Sequence, residues 1–199
     1  MPKATLKKCA KLFPHVTILQ KYGTTEIGTL RSKSKSSDSL WVKIGGEGFE
    51  TRVVDNILHI KAKSAMLGYL NAPSPFTDDG WFITGDSVEV DGDYIKILGR
   101  QSEIINVGGE KVYPAEVESV LQEIENVAGV LVYGEKNPIM GNIVCTEVSR
   151  VDESEDKNIF IKRIKMNCKE NLDNYKIPVK IIVSNKTSHS DRFKKIRKK

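Results

Sequence analysis

Cysteine is scarce in this 199-residue chain: Cys9, Cys145 and Cys168 stand far apart, and no CxxC pair occurs. Neither a disulfide framework nor a zinc-ligand spacing is therefore expected, and a reducing cytoplasm is the natural setting. Histidine is as thin, with His15, His59 and His189 scattered, so no transition-metal cluster is expected. Long apolar runs are missing too. None approaches the roughly 18 residues that a membrane-spanning helix needs. The basic stretch Met1 to Lys8 has no apolar segment after it, so it does not read as a secretory signal. A GxxxxGK(S/T) phosphate loop is absent as well.

What is present has the usage of a soluble globular protein, 39% hydrophobic and 29% charged, with room for one ordinary domain or two small ones. The net charge of +5 first points to nucleic acid, but its location argues against that partner. Between Lys186 and Lys199 there are seven Lys or Arg and one Asp, a local +6 that leaves about −1 for the rest. The excess is a terminal tail, not a basic face.

Along the chain, Leu6, Cys9, Ala10 and Phe13 have helical spacing, and Val16–Leu19 reads as a strand. Arg31 to Asp38 is Ser/Lys-rich and reads as an exposed turn. From Ser39 to Leu98 short strands alternate with turns: Leu40–Ile44, Glu50–Val54, Ile57–Lys61 and Tyr94–Leu98, with hairpin signals at Asp55-Asn56 and Asp91-Gly92-Asp93. After Arg100, Pro114 opens a helix with Val117, Val120, Leu121 and Ile124 on one face. Strands are expected near Val127–Tyr133, Asn142–Val148 and Val179–Val183. A second helix runs over about Ser154–Glu170, with Ile159, Ile161, Ile164 and Met166 as its apolar residues. The fold expected is α+β, with an antiparallel β-rich part over 1–100 and a small α+β domain with a basic tail over 101–199.

Four segments carry chemistry, and each also has an ordinary structural explanation. Tyr22-Gly23-Thr24-Thr25-Glu26 joins a ring that can stack on a purine, a glycine that admits close approach, hydroxyls for phosphate, and a carboxylate for Mg²⁺. As a bland alternative it is a polar loop. Trp81 to Asp86 ends in a tight turn whose aspartate can accept from a ribose cis-diol or simply cap the turn. Arg100, after Gly99, can donate to ribose or phosphate, or be a solvated linker charge. Gly108-Gly109 precede the proline-started helix, and a hairpin would account for them without any function.

Taken together in this order, the segments resemble the adenylate-forming superfamily of acyl-CoA synthetases, peptide-synthetase adenylation domains and luciferases. The match consists of a YGxTE segment at Tyr22, a GEL-like strand at Ser39-Leu40-Trp41-Val42, and a GY turn at Gly68-Tyr69-Leu70. GW(F/Y)xTGD follows, ending at Asp86, and then a GRxDxxIxxGGxxxxPxEVE run from Gly99 to Glu118. The resemblance implies that Tyr22 stacks on adenine with Gly23 beside it, Thr25 contacts the α-phosphate of ATP or AMP, and Glu26 coordinates Mg²⁺. It implies that Asp86 holds the ribose hydroxyls with Arg100 beside it. Gly108 and Gly109 would line the approach of CoA or a phosphopantetheine thiol, and a lysine near the C-terminus would act in catalysis. Members activate fatty, aryl or amino acids and pass them to a thiol acceptor.

Three departures qualify that expectation. The hinge acid is replaced by Ser102, with Glu103 next to it. The lysine motif is altered over Lys186–Arg197. Strict spacing puts Asp191 at the lysine's place, and a short insertion allows Lys194 or Lys195, of which Lys194 is favoured because Phe193 can anchor the turn. The family's Ser/Thr/Gly-rich loop for the β- and γ-phosphates has no counterpart among the 21 residues before Tyr22. A fragment of a ligase, inactive alone, is therefore expected, with apolar surface uncovered over 39–98. The alternative is a non-catalytic module that docks a separate adenylating subunit.

Overall fold

The computed structural model describes residues 2–184. The chain divides into two compact units, the first over Lys3–Ser102 and the second beginning at Glu103. Among the described residues no helix is long and apolar enough to cross a membrane.

The first unit opens with α1 (Lys3–Leu12), whose Leu6 is fully buried, and continues as seven strands. These are β1 (Tyr22–Thr24), β2 (Gly28–Ser34), β3 (Trp41–Gly45), β4 (Phe49–Val54), β5 (Ile57–Ala62), β6 (Phe82–Asp91) and β7 (Tyr94–Arg100). They form one antiparallel sheet in the order β1-β2-β3-β7-β6-β5-β4. Asp55 and Asn56 take φ of 51° and 62° between β4 and β5, the geometry of the tight hairpin their sequence signals. Leu30, Leu58, Ile60, Phe82 and Val88 build the core beneath the sheet.

Three sequence expectations change here. Val16–Leu19 is not a strand. Its neighbouring amides go to hydroxyls instead, Ile18 N donating to Ser37 Oγ at 3.1 Å and Gln20 N to Ser34 Oγ at 3.0 Å. Serine side chains thus take the amides that a partner strand's carbonyls would accept. Arg31–Asp38 is not all turn either: its first half belongs to β2, paired with β3 from Arg31↔Gly45 to Ser34↔Val42. Asp86 does not end a strand either. It lies inside the ten-residue β6, where Gly85 at φ 71° and a register shift between Ser87 and Val88 bend the strand without stopping it.

The second unit contains β8 (Ile105–Val107), β9 (Glu110–Val112), α2 (Pro114–Leu121), β10 (Val127–Asn137), β11 (Gly141–Arg150), α3 (Lys157–Asn171) and β12 (Lys180–Val183). The sheet order is β10-β11-β8-β9, with β12 parallel to β11. Pro114 opens α2 at its first turn, and Asp156 caps α3 by accepting from Asn158 N and Ile159 N. Both helices contribute to one core, with Val117, Leu121, Phe160, Ile164 and Cys168 against Val112, Val130, Val132, Val144 and Val148. The buried stripe of α3 is Phe160, Ile164 and Cys168, a four-residue spacing. Ile159 and Met166, expected on the apolar face, are 61% and 65% exposed. The α+β class is as expected, with antiparallel sheets dominating.

Candidate functional site

Asp86 is the centre of the polar arrangement in the first unit. Its residue is 6% exposed. Tyr22 Oη donates to Asp86 Oδ2 at 2.5 Å, and Arg100 Nε pairs with Asp86 Oδ1 at 2.8 Å. Arg100 also donates through Nη1 to the Thr84 carbonyl at 2.8 Å. Thr84 Oγ1 in turn accepts from Asp86 N and donates to the Leu58 carbonyl, so the strand around the carboxylate is fixed from three sides. Burial, and then the Asp86 carboxylate, push the Tyr22 hydroxyl far above its ordinary pKa. Tyr22 is therefore a hydroxyl donor at neutral pH.

Asp86 and Arg100 face each other across β6 and β7. Tyr22 reaches Asp86 from β1, four strand steps from β6 in the sheet order. At about 4.8 Å per step, a flat sheet would hold those strands about 19 Å apart. Side-chain contact across that interval requires the sheet to curl, and the bulged β6 supplies part of the bend. Tyr22 is also only 9% exposed and belongs to the core cluster, so most of the ring expected to meet a purine is covered.

The rest of the YGxTE segment forms the β1–β2 turn. Gly23 is required by the hairpin itself: a Cβ there would sit 2.7 Å from the Gly28 carbonyl oxygen and 2.8 Å from Thr29 Cα. Thr25 is exposed at the tip of the turn. Glu26 beside it accepts from Tyr69 Oη at 2.6 Å on Oε1. That bond, ahead of smaller contributions from Thr24, its own backbone and Thr25, holds the Glu26 carboxyl at about 2 against some desolvation. Sequence reasoning matched Gly68-Tyr69 to a motif but gave Tyr69 no role, and nothing in the local pattern ties it to Glu26, 43 residues earlier.

In the second unit Gly108 and Gly109 form the two-residue turn between β8 and β9, with φ of 60° and 95°. The turn is tied down: Gly108 N donates to the Met140 carbonyl at 2.8 Å, and Gly109 N to Asn106 Oδ1 at 2.9 Å. Both glycines are exposed. Glu118, in the following helix, is buried and accepts from Val132 N at 3.0 Å, which gives the last acid of the motif a structural task on β10. Lys194 and Lys195 lie outside the described residues.

Comparison with known proteins agrees with the ordered motifs. A family model described as the AMP-binding enzyme C-terminal domain matches residues 116–194. A 2-succinylbenzoate–CoA ligase of Enterococcus faecalis is 32% identical over 185 residues, which cover 83% of this chain and 37% of the ligase. An ATP-bound RpMatB–BxBclM chimera superimposes with a TM-score of 0.83 at 27% identity, over 96% of this chain and 42% of the chimera. The o-succinylbenzoate CoA synthetase of Bacillus subtilis, in complex with its acyl-adenylate intermediate, gives a TM-score of 0.78 at 26% identity, over 98% and 42%. The chain thus spans well under half the length of the relatives it matches. It belongs to the adenylate-forming, AMP-binding superfamily of acyl-CoA synthetases and adenylation domains, and corresponds to the C-terminal part of its members.

Proposed function

We propose that this chain supplies the ribose-, metal- and thiol-facing part of an AMP-forming acid–CoA ligase. The observation that carries the reading is the buried Asp86 carboxylate, held at fixed orientation between Tyr22 and Arg100. A carboxylate offers about four acceptor positions, so two protein donors leave capacity for a ribose diol. Arg100, whose side chain is 53% exposed, can turn a donor toward the same sugar.

In the complete ligase a substrate carboxylate oxygen would attack the α-phosphorus of ATP, releasing pyrophosphate and forming acyl-AMP. A thiol sulfur would then take the acyl group and release AMP. Within that sequence Asp86 and Arg100 hold the ribose, and Thr25 donates to an α-phosphate oxygen. Gly109, with open space where a side chain would sit, leaves room beside the turn for the pantetheine arm of CoA, while Gly108 abuts the Met140 methyl. Lys194 or Lys195 neutralises charge developing on the phosphate.

Glu26 fits Mg²⁺ in chemistry, as a hard oxygen donor ionised at neutral pH. Among the described residues no group of three His, Cys, Asp or Glu could hold a metal, which suits an ion bound through one carboxylate plus nucleotide phosphates and water. When bound, Mg²⁺ would offset phosphate charge and ease the approach of the carboxylate nucleophile. CoA is preferred to a carrier protein as thiol acceptor because the relatives are named CoA ligases. The acid is proposed only as a class, since the resemblance assigns its pocket to segments upstream of the Tyr22 motif.

Calorimetry with AMP tests the reading. The 199-residue chain is expected to bind AMP weakly, Asp86→Ala to abolish binding, and neither to catalyse carboxylate-dependent ATP–pyrophosphate exchange. AMP binding untouched by Asp86→Ala would refute the ribose assignment, and robust exchange by the chain alone would refute its dependence on further segments. A second reading, docking onto a separate adenylating subunit, draws on exposed apolar residues of the first unit, Leu12, Phe13, Val16, Leu19, Leu67 and Leu70. Its test is co-purification with such a subunit, lost when Leu67 and Leu70 are changed to Ser.

A further inference from the structure

The segment after β5 is pinned to the β1–β2 turn. Ser64 Oγ donates to the Ile27 carbonyl at 3.2 Å, Met66 N to the Glu26 carbonyl at 2.8 Å, and Tyr69 Oη to Glu26 Oε1 at 2.6 Å. Apolar burial accounts only for the start of this path, where Ala65 packs against the core of the unit. Leu67 and Leu70, on either side of the third tie, are fully exposed, and Tyr69 itself is 44% exposed. What holds Tyr69 against the turn is its hydroxyl. Gly68, at φ 150°, turns the backbone just before it in a conformation that a side chain would resist.

We propose that Tyr69 is a positioning residue for Glu26, fixing the carboxylate in one rotamer and committing Oε1 to the strap so that its remaining lone pairs face a divalent cation. The inference rests on the reading of Glu26 as the Mg²⁺-holding residue. A half-exposed glutamate otherwise samples many rotamers, and a ligand that must freeze it binds more weakly than one meeting it already ordered. The tie also explains why a single carboxylate on a turn tip can serve a cation at all: its backbone is held by Met66 and its side chain by Tyr69.

Mn²⁺ titrated into the isotopically labelled 199-residue chain with AMP present, read by line broadening of backbone amides, tests this without any turnover. In the wild type, broadening should centre on Thr25, Glu26 and Ile27, and Glu26→Gln should remove it. Tyr69→Phe keeps the ring and should leave the remaining spectrum intact while raising the Mn²⁺ needed for half-broadening by about 3–10-fold, the cost of one unfrozen side chain. Ser64→Ala cuts a tie that does not touch the carboxylate and should leave the midpoint unchanged. A Tyr69→Phe midpoint equal to wild type, with Glu26→Gln still abolishing the effect, overturns the role of Tyr69 alone. A Ser64→Ala shift as large as that of Tyr69→Phe overturns it too, by assigning the effect to the strap as a whole. Broadening that survives Glu26→Gln, or none near the turn in the wild type, overturns the metal reading of Glu26 and the inference with it.

Discussion

Removing one hydroxyl, by Tyr22→Phe, isolates the contact on which the candidate ribose site is built. The phenol oxygen donates to Asp86 Oδ2, and both residues are less than a tenth exposed, so water cannot readily replace the lost donor. A hydrogen bond to a charged group contributes about 1.5–3 kcal/mol, and the buried location favours the upper half of that range. The unfolding constant should therefore rise roughly 50- to 150-fold. With a urea dependence of about 1–3 kcal/mol per M, the midpoint should fall by about 1 M. Both tryptophans, Trp41 and Trp81, lie in the first unit, so tryptophan fluorescence reports its unfolding specifically. Arg100→Ala provides the internal control. Its side chain is 53% exposed, so its pairing with Asp86 is screened and should contribute only about 0.2–1 kcal/mol. An unchanged midpoint for Tyr22→Phe would refute the reasoning by showing that Oδ2 finds another donor. A larger loss for Arg100→Ala than for Tyr22→Phe would refute the ranking by burial.

Glu26 gives a pH signature. Its carboxyl is held at about 2 in the fold against an ordinary 4.5, so its contribution is complete above about 4.5 and fades as the pH falls toward 2. The stability gap between wild type and Tyr69→Phe, measured in urea at several pH values, should narrow over that window; a gap constant from pH 6 to 2.5 would contradict it. Phe160 is fully buried between α3 and the sheet of the second unit, and Phe160→Ala should cost about 3–5 kcal/mol by circular dichroism. A loss below about 1.5 kcal/mol would mean that the core collapses around the gap. Asp86→Asn keeps the shape and can still accept from Arg100 while giving an amide proton to Tyr22 Oη. It should therefore retain most of the stability that Tyr22→Phe loses, yet weaken AMP binding by at least about 10-fold, because one of two acceptor oxygens becomes a donor. Equal AMP affinity in this variant would show that the ribose does not use Asp86.

Hairpins with strong turn chemistry were legible in the sequence because their signals are local. Asp55-Asn56 and Pro114 each act within a few residues, and the structure has the turn and the helix start they imply. The failures are non-local. Ser32, Ser34 and Ser37 look like loop residues by composition, yet Tyr22, Gln20 and Ile18 donate their amides to them, and that pairing depends on where the preceding segment lies. The apolar face of α3 was misassigned because Ile159, Phe160 and Ile161 are consecutive and apolar, and only the packed sheet selects Phe160 with Ile164 and Cys168. The residues of the candidate site were nameable through ordered motifs, but their arrangement was not. Tyr22 lies 64 positions from Asp86, and the contact exists because the sheet curls.

The two halves of the candidate nucleotide site differ in how they are prepared, and on the proposed reading this would set the order in which ligands enter. Asp86 is buried, doubly paired and fixed before any ligand arrives. Glu26 sits on a turn tip, and among the described residues no group of three or more His, Cys, Asp or Glu is gathered that could hold a metal by itself. Mg²⁺ gives up its water reluctantly and usually binds through one or two carboxylates plus substrate phosphates. On the proposed reading, cation affinity in the absence of nucleotide must therefore be low, whatever order Tyr69 imposes on the side chain. Ribose capture by Asp86 would come first or together with the cation, bringing phosphate oxygens toward Thr25 and Glu26. Only then would the turn complete a coordination shell. A site divided in this way holds a metal–nucleotide pair more tightly than either component alone, which is positive cooperativity arising from shared ligands and needing no change of fold.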